Sequence, residues 1–291
     1  MSQLPQPVVG RSLWQDAWRR LRHNRAALVA GIVLALMLLA ILFGPLFSPY
    51  AYDEIDFTGS WGAEPTLHDG HVFGTDSVGR DLFSRTLVGG RISLMVGIVS
   101  TLVSLLIGVA YGAIAGYYGG RVDQVMMRVV DVLYALPFMF FVILLMVLFG
   151  RQLLLIFVAI GAVNWLDMAR IVRGQTLSLR RREFIDAAIV AGTPPREIIR
   201  RHIVPNLMGV VVIYATLTIP QVILVESFLS FLGLGVQEPM TSWGSLVNDG
   251  AREMEATVWP LLFPAGFLAL ALLCFNFLGD GLRDALDPKD R

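Results

Sequence analysis

The sequence predicts an all-α integral membrane protein with six transmembrane helices, and three observations carry that prediction. The chain is 55% hydrophobic with only 16% charged residues, and its mean hydropathy is +0.65, a balance foreign to a soluble domain of 291 residues. Its apolar residues come in blocks rather than in the i, i+3, i+4 pattern of a surface helix. Stretches free of Asp, Glu, Lys and Arg cover 26–52, 92–120, 132–150, 152–166, 202–225 and 256–279, against the roughly 20 apolar residues a helix needs to cross the hydrocarbon core. The fourth run is short. It must continue from Asn164 to Ala169, which places Asp167 near a membrane face.

The elements follow in order. Residues 1–25 read as a cytoplasmic tail with an interfacial helix, Trp14 and Trp18 lying at i, i+4. So long a polar stretch before so long an apolar run argues against a cleavable signal peptide. The first span is 26–48, and 49–91 is a polar outer loop in which seven acids from Asp53 to Asp81 outnumber Arg80, Arg85 and Arg91. The five remaining spans form a core over 92–280, interrupted by a cytoplasmic loop at 170–206, and 281–291 is a cytoplasmic tail. Orientation comes from arginine. The chain has a single lysine, Lys289, and its arginines crowd two places: Arg11 to Arg25, and Arg170 to Arg201. Four crossings separate these clusters, so both fall on the cytoplasmic side as the positive-inside bias requires, and both termini with them.

Inside the spans, Gly108, Gly112 and Gly116 make overlapping G-x-x-x-G patterns that allow close approach of another helix. Pro137 and Pro220 kink or open their helices. The ionisable Asp131 and Glu226 are candidates for a translocation path or gate, because charge at membrane depth usually faces a bundle interior or water. Asp131 can equally sit at the interface, and Glu226 can equally hold a neighbouring helix by a hydrogen bond. The lone Cys274 forms no disulfide within the chain and reads as a packing residue.

Several chemistries find no support. "GTDSVGRD" at 74–81 has the spacing of a phosphate-binding loop but offers Arg80 and Asp81 where Lys and a hydroxyl are needed. Any ATP used must be bound by another chain. The four histidines, His23, His68, His71 and His202, show no His-x-x-x-His spacing; His68 and His71 lie three apart beside Asp69, which gives a metal little support, and no Gly-x-Ser-x-Gly elbow accompanies the serines.

The loop at 170–206 contains "DAAIVAGTPPREIIRRHIVPN", a helical hairpin between two apolar runs. Residues 180–191 carry good helix formers, with Phe184, Ala187, Ala188 and Ala191 spaced to give one small-residue face. Gly192 ends that helix where positive φ is wanted. Thr193 can cap a second, basic helix with Pro194 at its first position, and Pro205 marks its end. A DNA-reading helix-turn-helix fits poorly in a loop tethered to the membrane at both ends.

These residues resemble the cytoplasmic loop of ABC importer permeases: Glu-Ala-Ala, three residues, Gly, nine residues, Ile, any residue, Leu-Pro. Asp186-Ala187-Ala188, Gly192 and His202-Ile203-Val204-Pro205 keep the spacing, with Asp for Glu, His for Ile and Val for Leu. "FGTDSVGRDLFSR", "WLDMARIVRGQTLSLRRREF", "ESFLSFLGLGVQEPMTSWG" and "FPAGFLALALLCFNFLGDGLRDALDPKDR" are similar to the C-type permeases of peptide importers. Both ends of the chain look most like the oligopeptide branch rather than its dipeptide or nickel relatives. The resemblance implies a type I ABC importer permease fold in a bacterial cytoplasmic membrane. It also implies a homologous second permease, two ATPase subunits holding ATP and Mg, and an external binding protein delivering peptide. In such a subunit Asp186, Ala187, Ala188, Gly192 and Pro205 belong to the loop that couples to an ATPase. The rival readings are an ion-driven transporter using Asp131 and Glu226, and a scaffold without transport.

Overall fold

A computed structural model describes residues 13–57, 61–150 and 152–286. Those residues form helices and loops, with no strand beyond the isolated bridges Ile55–Arg80 and Thr75–Asp81. A short helix α1, Leu13–His23, is followed at once by α2, Arg25–Phe43. The side chain of Asn24 caps α2 by accepting from the Ala27 amide at 3.2 Å. Of the two tryptophans expected on α1, Trp18 is exposed with the Arg22 guanidinium 5.0 Å from its ring; the side chain of Trp14 lies outside the described residues.

Helix α3 runs from Leu82 to Tyr118, 37 residues or about 55 Å at 1.5 Å per residue. It starts ten residues before the charge-free run at 92, so Arg85 and Arg91, expected in the loop, belong to the helix. The reason is local. Asp81 caps α3 by accepting from the Ser84 amide at 2.8 Å, and Arg91 donates to the carbonyls of Ile41 and Leu42 at 2.8 and 2.6 Å, closing the end of α2. Gly119 and Gly120, both at positive φ, end α3 and turn the chain into α4, Gly120–Tyr134.

The kink expected at Pro137 is a full break: α4 stops at Tyr134, α5 begins at Phe138, and the two are bent by 77°. Proline cannot donate a backbone N–H and restricts the residue before it, so the helix ends there. Pro220, by contrast, stays inside a helix. Helix α6, Leu153–Leu179, carries its helical path ten residues past the expected span end at Ala169, taking Arg170 and Arg173 with it. Their charge is met by acids on α4: Arg170 pairs with Asp131 at 2.9 Å, and Arg173 grips Asp123 with two nitrogens at 2.5 and 2.6 Å.

The hairpin follows as α7, Glu183–Val190, and α8, Pro195–Ile198. A wide π-type turn at 199–203 then leads without interruption into α9, Val204–Phe231. Pro205 therefore does not end the second hairpin helix; it sits in the first turn of α9, where a missing N–H is harmless. The expected start also shifts by one residue, with Pro194 at the cap, no side-chain cap from Thr193, and Pro195 first in the helix. Helix α10, Trp243–Glu253, opens on a reciprocal cap between Ser242 and Ser245, and α11, Trp259–Leu286, completes the chain. Among the described residues α2 with its 3₁₀ extension, α3, the α8–α9 run and α11 are each long and apolar enough to span a membrane, and α4–α5 counts as a fifth if the bent pair is one span.

Packing centres on α3. Its glycine stripe faces α6 within the same chain: a Cβ on Gly108 would lie 2.6 Å from the Met168 side chain, one on Gly112 2.4 Å from the Ala169 carbonyl oxygen, and one on Gly116 2.6 Å from Thr176. Toward its N-terminal half α3 meets α9 and α10, where Gly90 lies against the fully buried ring of Trp243. One apolar cluster joins α2, α3 and α11 through Leu34, Leu94 and Phe275. A second joins α3, α5, α6 and α9 through Val96, Val142, Ile160 and Val222.

The described residues of the connection, 47–57 and 61–81, fold onto the α10 end of the bundle. Phe73 stacks on Phe263 of α11 at 4.0 Å and meets Phe83 edge-on. His71, only 3% exposed, lies between two carboxylates, Asp81 at 3.0 Å and Asp56 at 3.3 Å. Gly74 and Gly79, the glycines with phosphate-loop spacing, turn at positive φ around Asp76, whose carboxylate accepts from the amides of Val78 and Arg80 and from the Arg80 side chain at 2.7 Å. The segment thus closes a loop with its own polar groups.

Next to it, Asp249 of α10 lines a pocket together with Arg80, Arg85, Glu238 and Glu253. Burial raises the Asp249 carboxyl above the usual carboxylate range; Arg85 and Arg80 oppose the shift, and Glu238 and Glu253 add to it. A carboxyl with a raised folded pKa holds its proton more tightly folded than unfolded, so its ionisation subtracts stability as pH rises above about 4. Asp249→Asn should therefore raise the melting temperature of the solubilised protein at pH 7 and leave it unchanged below pH about 4. Thermal unfolding at the two pH values checks the sign.

Candidate functional site

The hairpin at the opposite end of the bundle from α10 is built in two layers. Ile185 and Ala188 of α7, with Ile198 and Ile203 beyond the turn, insert beside Ala113 and Tyr117 of α3, Val172 of α6 and Leu207 of α9. Burying four such side chains holds the hairpin against the bundle, at about 1.5–3 kcal/mol for each large one. The turn between the helices is a Schellman motif: the Thr193 amide donates to Ala188 O at 3.1 Å and the Gly192 amide to Ile189 O at 2.9 Å. Gly192 has φ +76°, and a Cβ there would meet nothing within 4 Å. Its glycine is demanded by backbone conformation alone, about 1–2 kcal/mol for another residue.

The second layer points outward. Asp186, Ala187, Ala191 and Gly192 are exposed, and so are Phe184, Ile189 and Val190, the last at 89%. The small-residue face expected on α7 is divided, since Ala188 is turned into the chain's own core while Ala187 and Ala191 remain outside. Around this apolar tip stand exposed Arg181, Arg182, Arg196, Arg200 and Arg201; among the described residues Arg201 is held by Glu197 at 2.9 Å. A short helix with alanines and an almost bare valine, ringed by cations, is a surface a partner can cover closely: the small side chains let another backbone approach, and the cations meet acids at the rim.

The other candidates do not join this surface. Glu226 is fully buried in α9. Its carboxylate accepts from Ser93 of α3 at 3.0 Å and from Ser230 at 2.7 Å; Ser242 reaches Ser230 at 3.3 Å, and the Trp243 amide donates to Ser93 at 3.1 Å. Glu226 thereby ties α3, α9 and the start of α10. Asp131 is about half exposed, shares no partner with Glu226, and is spent on Arg170, which also lies 4.4 Å from the Tyr134 ring. Pro205 is exposed but lies beyond the hairpin, in the first turn of α9. Among the described residues no group of three His, Cys, Asp or Glu side chains could hold a metal ion.

Residues that sequence reading did not single out include Asp123 and the polar side chains Thr101, Asn164, Thr218 and Gln221. A signal for the last four exists. Each is a hydrogen-bonding group in an apolar run.

Bundle and hairpin together define a multi-pass membrane subunit with an exposed helical tip. Residues 108–291 match the family model described as the binding-protein-dependent transport system inner membrane component, and the chain belongs to that family, a bacterial inner-membrane transport subunit rather than an enzyme. Residues 12–65 match the model of the N-terminal TM domain of oligopeptide transport permease C. The chain is 61% identical to the oligopeptide transport system permease protein OppC of Escherichia coli K12, over 98% of this chain and 94% of that one. It is 58% identical to the protein of the same name from Haemophilus influenzae, over 97% and 90%. With the dipeptide transport system permease protein DppC of Bacillus subtilis it shares 47%, over 96% and 87%. A chain in a structure of inward-facing conformations of the MetNI methionine ABC transporter matches with TM-score 0.56 at 18% identity, covering 69% of this chain and 96% of that one. That likeness speaks to the fold.

Proposed function

We propose that this chain is a membrane-spanning permease subunit through which an ATP-driven importer moves oligopeptides across the cytoplasmic membrane. The observation that carries the substrate class is the 61% identity to an oligopeptide permease along 98% of the chain; dipeptides are the nearest alternative cargo, at 47% for a dipeptide permease. Six spans with both termini in the cytoplasm put the arginine-ringed hairpin on the ATPase side and the 47–81 segment on the side where a binding protein delivers peptide. A homologous second permease, two ATPase subunits and that external protein complete the machine, with ATP and Mg held by the ATPases. The exposed face of α7 around Asp186 and Ala187 is the coupling contact, and Gly192 sets its angle. A proton-driven carrier is disfavoured because Glu226 is enclosed and Asp131 is ion-paired, with no shared path between them.

Two measurements test this. A strain lacking the chain should resist a toxic tripeptide and regain sensitivity when the gene is restored; unchanged sensitivity would refute peptide import. The purified chain alone should release no phosphate from ATP, since its one lysine lies at 289 and a phosphate-binding loop needs that residue. Turnover by the isolated chain would overturn the division of labour.

A further inference from the structure

A cavity of about 430 Å³ opens between α3, α6 and α9, lined by Thr101, Asn164, Asp167, Tyr214, Thr218 and Gln221 among others. It lies near the middle of the three helices that line it. The midpoint of Leu82–Tyr118 falls beside Thr101, that of Leu153–Leu179 beside Asn164 and Asp167, and that of Val204–Phe231 beside Thr218. On α9 the lining residues recur at 214, 218 and 221, one face of the helix.

These groups are short of partners. The Thr101 hydroxyl is buried with no hydrogen bond, although Thr101 is only 2% exposed. Asn164 donates to Ile160 O at 3.0 Å and Thr218 to Tyr214 O at 2.7 Å, which leaves both side chains with unused acceptors. Gln221 and the Tyr214 hydroxyl bond to nothing among the described residues. Hydrocarbon would leave the Thr101 and Tyr214 hydroxyls and the Gln221 amide unsatisfied, at several kcal/mol apiece in a fully apolar medium, so the face turns toward water or a polar occupant.

What occupant fits follows from the chemistry. Amides and hydroxyls both donate and accept, so they can serve the alternating N–H and C=O groups of an extended chain without reading its side chains. The charge of Arg170 is taken by Asp131; Asp167 contributes one carboxylate, which suits an α-ammonium end. The volume falls in the range of about 300–1,000 Å³ typical of small-ligand sites. Resting on the oligopeptide-permease reading, we infer that this cavity holds the main chain of the peptide in transit, with Thr218 and Gln221 as contact residues.

The test uses the complete transporter with its binding protein in liposomes, in a Cys274→Ala background. Thr218→Cys or Gln221→Cys is combined with a tripeptide whose own cysteine is activated as a mixed disulfide with thionitrobenzoate. Both positions should form an ATP-dependent disulfide with the peptide, whereas Leu36→Cys, on the exposed apolar side of α2, should form none. A Thr218→Leu, Gln221→Leu double variant should import about tenfold more slowly, the loss expected for two hydrogen bonds, while keeping its ATPase rate. If the Leu36→Cys complex imports peptide, yet positions 218 and 221 form no adduct and the double variant imports at the parent rate, a partner helix or lipid fills the cavity and the inference is overturned. If the parent and Leu36→Cys complexes import no peptide, the underlying oligopeptide reading fails and takes the inference with it.

Discussion

Gly112→Leu is expected to destabilise the protein by about 3 kcal/mol or more, the upper range for overpacking a well-filled contact. Even the Cβ would stand 2.4 Å from the Ala169 carbonyl oxygen and 2.9 Å from the Arg173 amide nitrogen. Both are backbone atoms of α6, so no side chain can swing aside, and the helices must separate along the whole stripe from Gly108 to Gly116. Separation also withdraws the support beneath α7, because Ala113, Met168 and Val172 share the cluster that seats Ile185 and Ala188. The matched control is Gly174→Ala in α6, where a Cβ meets nothing within 4 Å and the better helix propensity of alanine applies. A large fall in melting temperature and in membrane-inserted protein for Gly112→Leu, with none for Gly174→Ala, is the expected pair of results. Equal behaviour of the two would mean that the α3–α6 approach does not hold the bundle.

Ala187→Asp should do the reverse: leave the fold alone and remove uptake. Ala187 is exposed and belongs to no core cluster. A carboxylate there sits four residues from Glu183, a like-charge pair that costs only about 0.2–0.5 kcal/mol on a helix surface. At a closely packed contact the same charge would be buried unpaired, costing roughly 3–5 kcal/mol, enough to lower uptake by more than about a hundredfold. The measurements are membrane abundance, melting temperature and tripeptide uptake on one preparation. Loss of inserted protein in step with uptake would assign α7 a folding role and sink the coupling contact. Ala188→Asp serves as contrast: Ala188 is 9% exposed in the chain's own core, so its substitution should cost folding and uptake together.

The comparison of Ala187 with Ala188 marks where reading a sequence stops. Spacing put both alanines on one helix, but which of them faces inward depends on where Ile185 finds its pocket between α3, α6 and α9. Glu226 shows the same limit. Its place in an apolar run made it conspicuous, yet only the folded chain brings Ser93, from more than a hundred residues away, to its carboxylate. Sequence and structure agree on proline at 137 and part company at 205, because the effect of proline depends on whether the lost N–H had a partner. At 137 the chain breaks by 77°. At 205 the residue falls in a first helical turn and nothing breaks.

What the sequence by itself determined is the part governed by local or solvent-averaged physics. Apolar length made the helices membrane-spanning, glycine at 192 set the turn, and the spacing from Asp186 to Pro205 pointed to a permease. The tertiary structure alone decided the partners of buried groups. The extension of α3 back to Leu82, the seating of α7, the enclosure of Glu226 and the polar cavity beside Gln221 all rest on atoms brought together from distant segments. Hydropathy reports the transfer of a residue from water to an apolar surrounding; it holds no information about which hydrogen-bonding partner waits there.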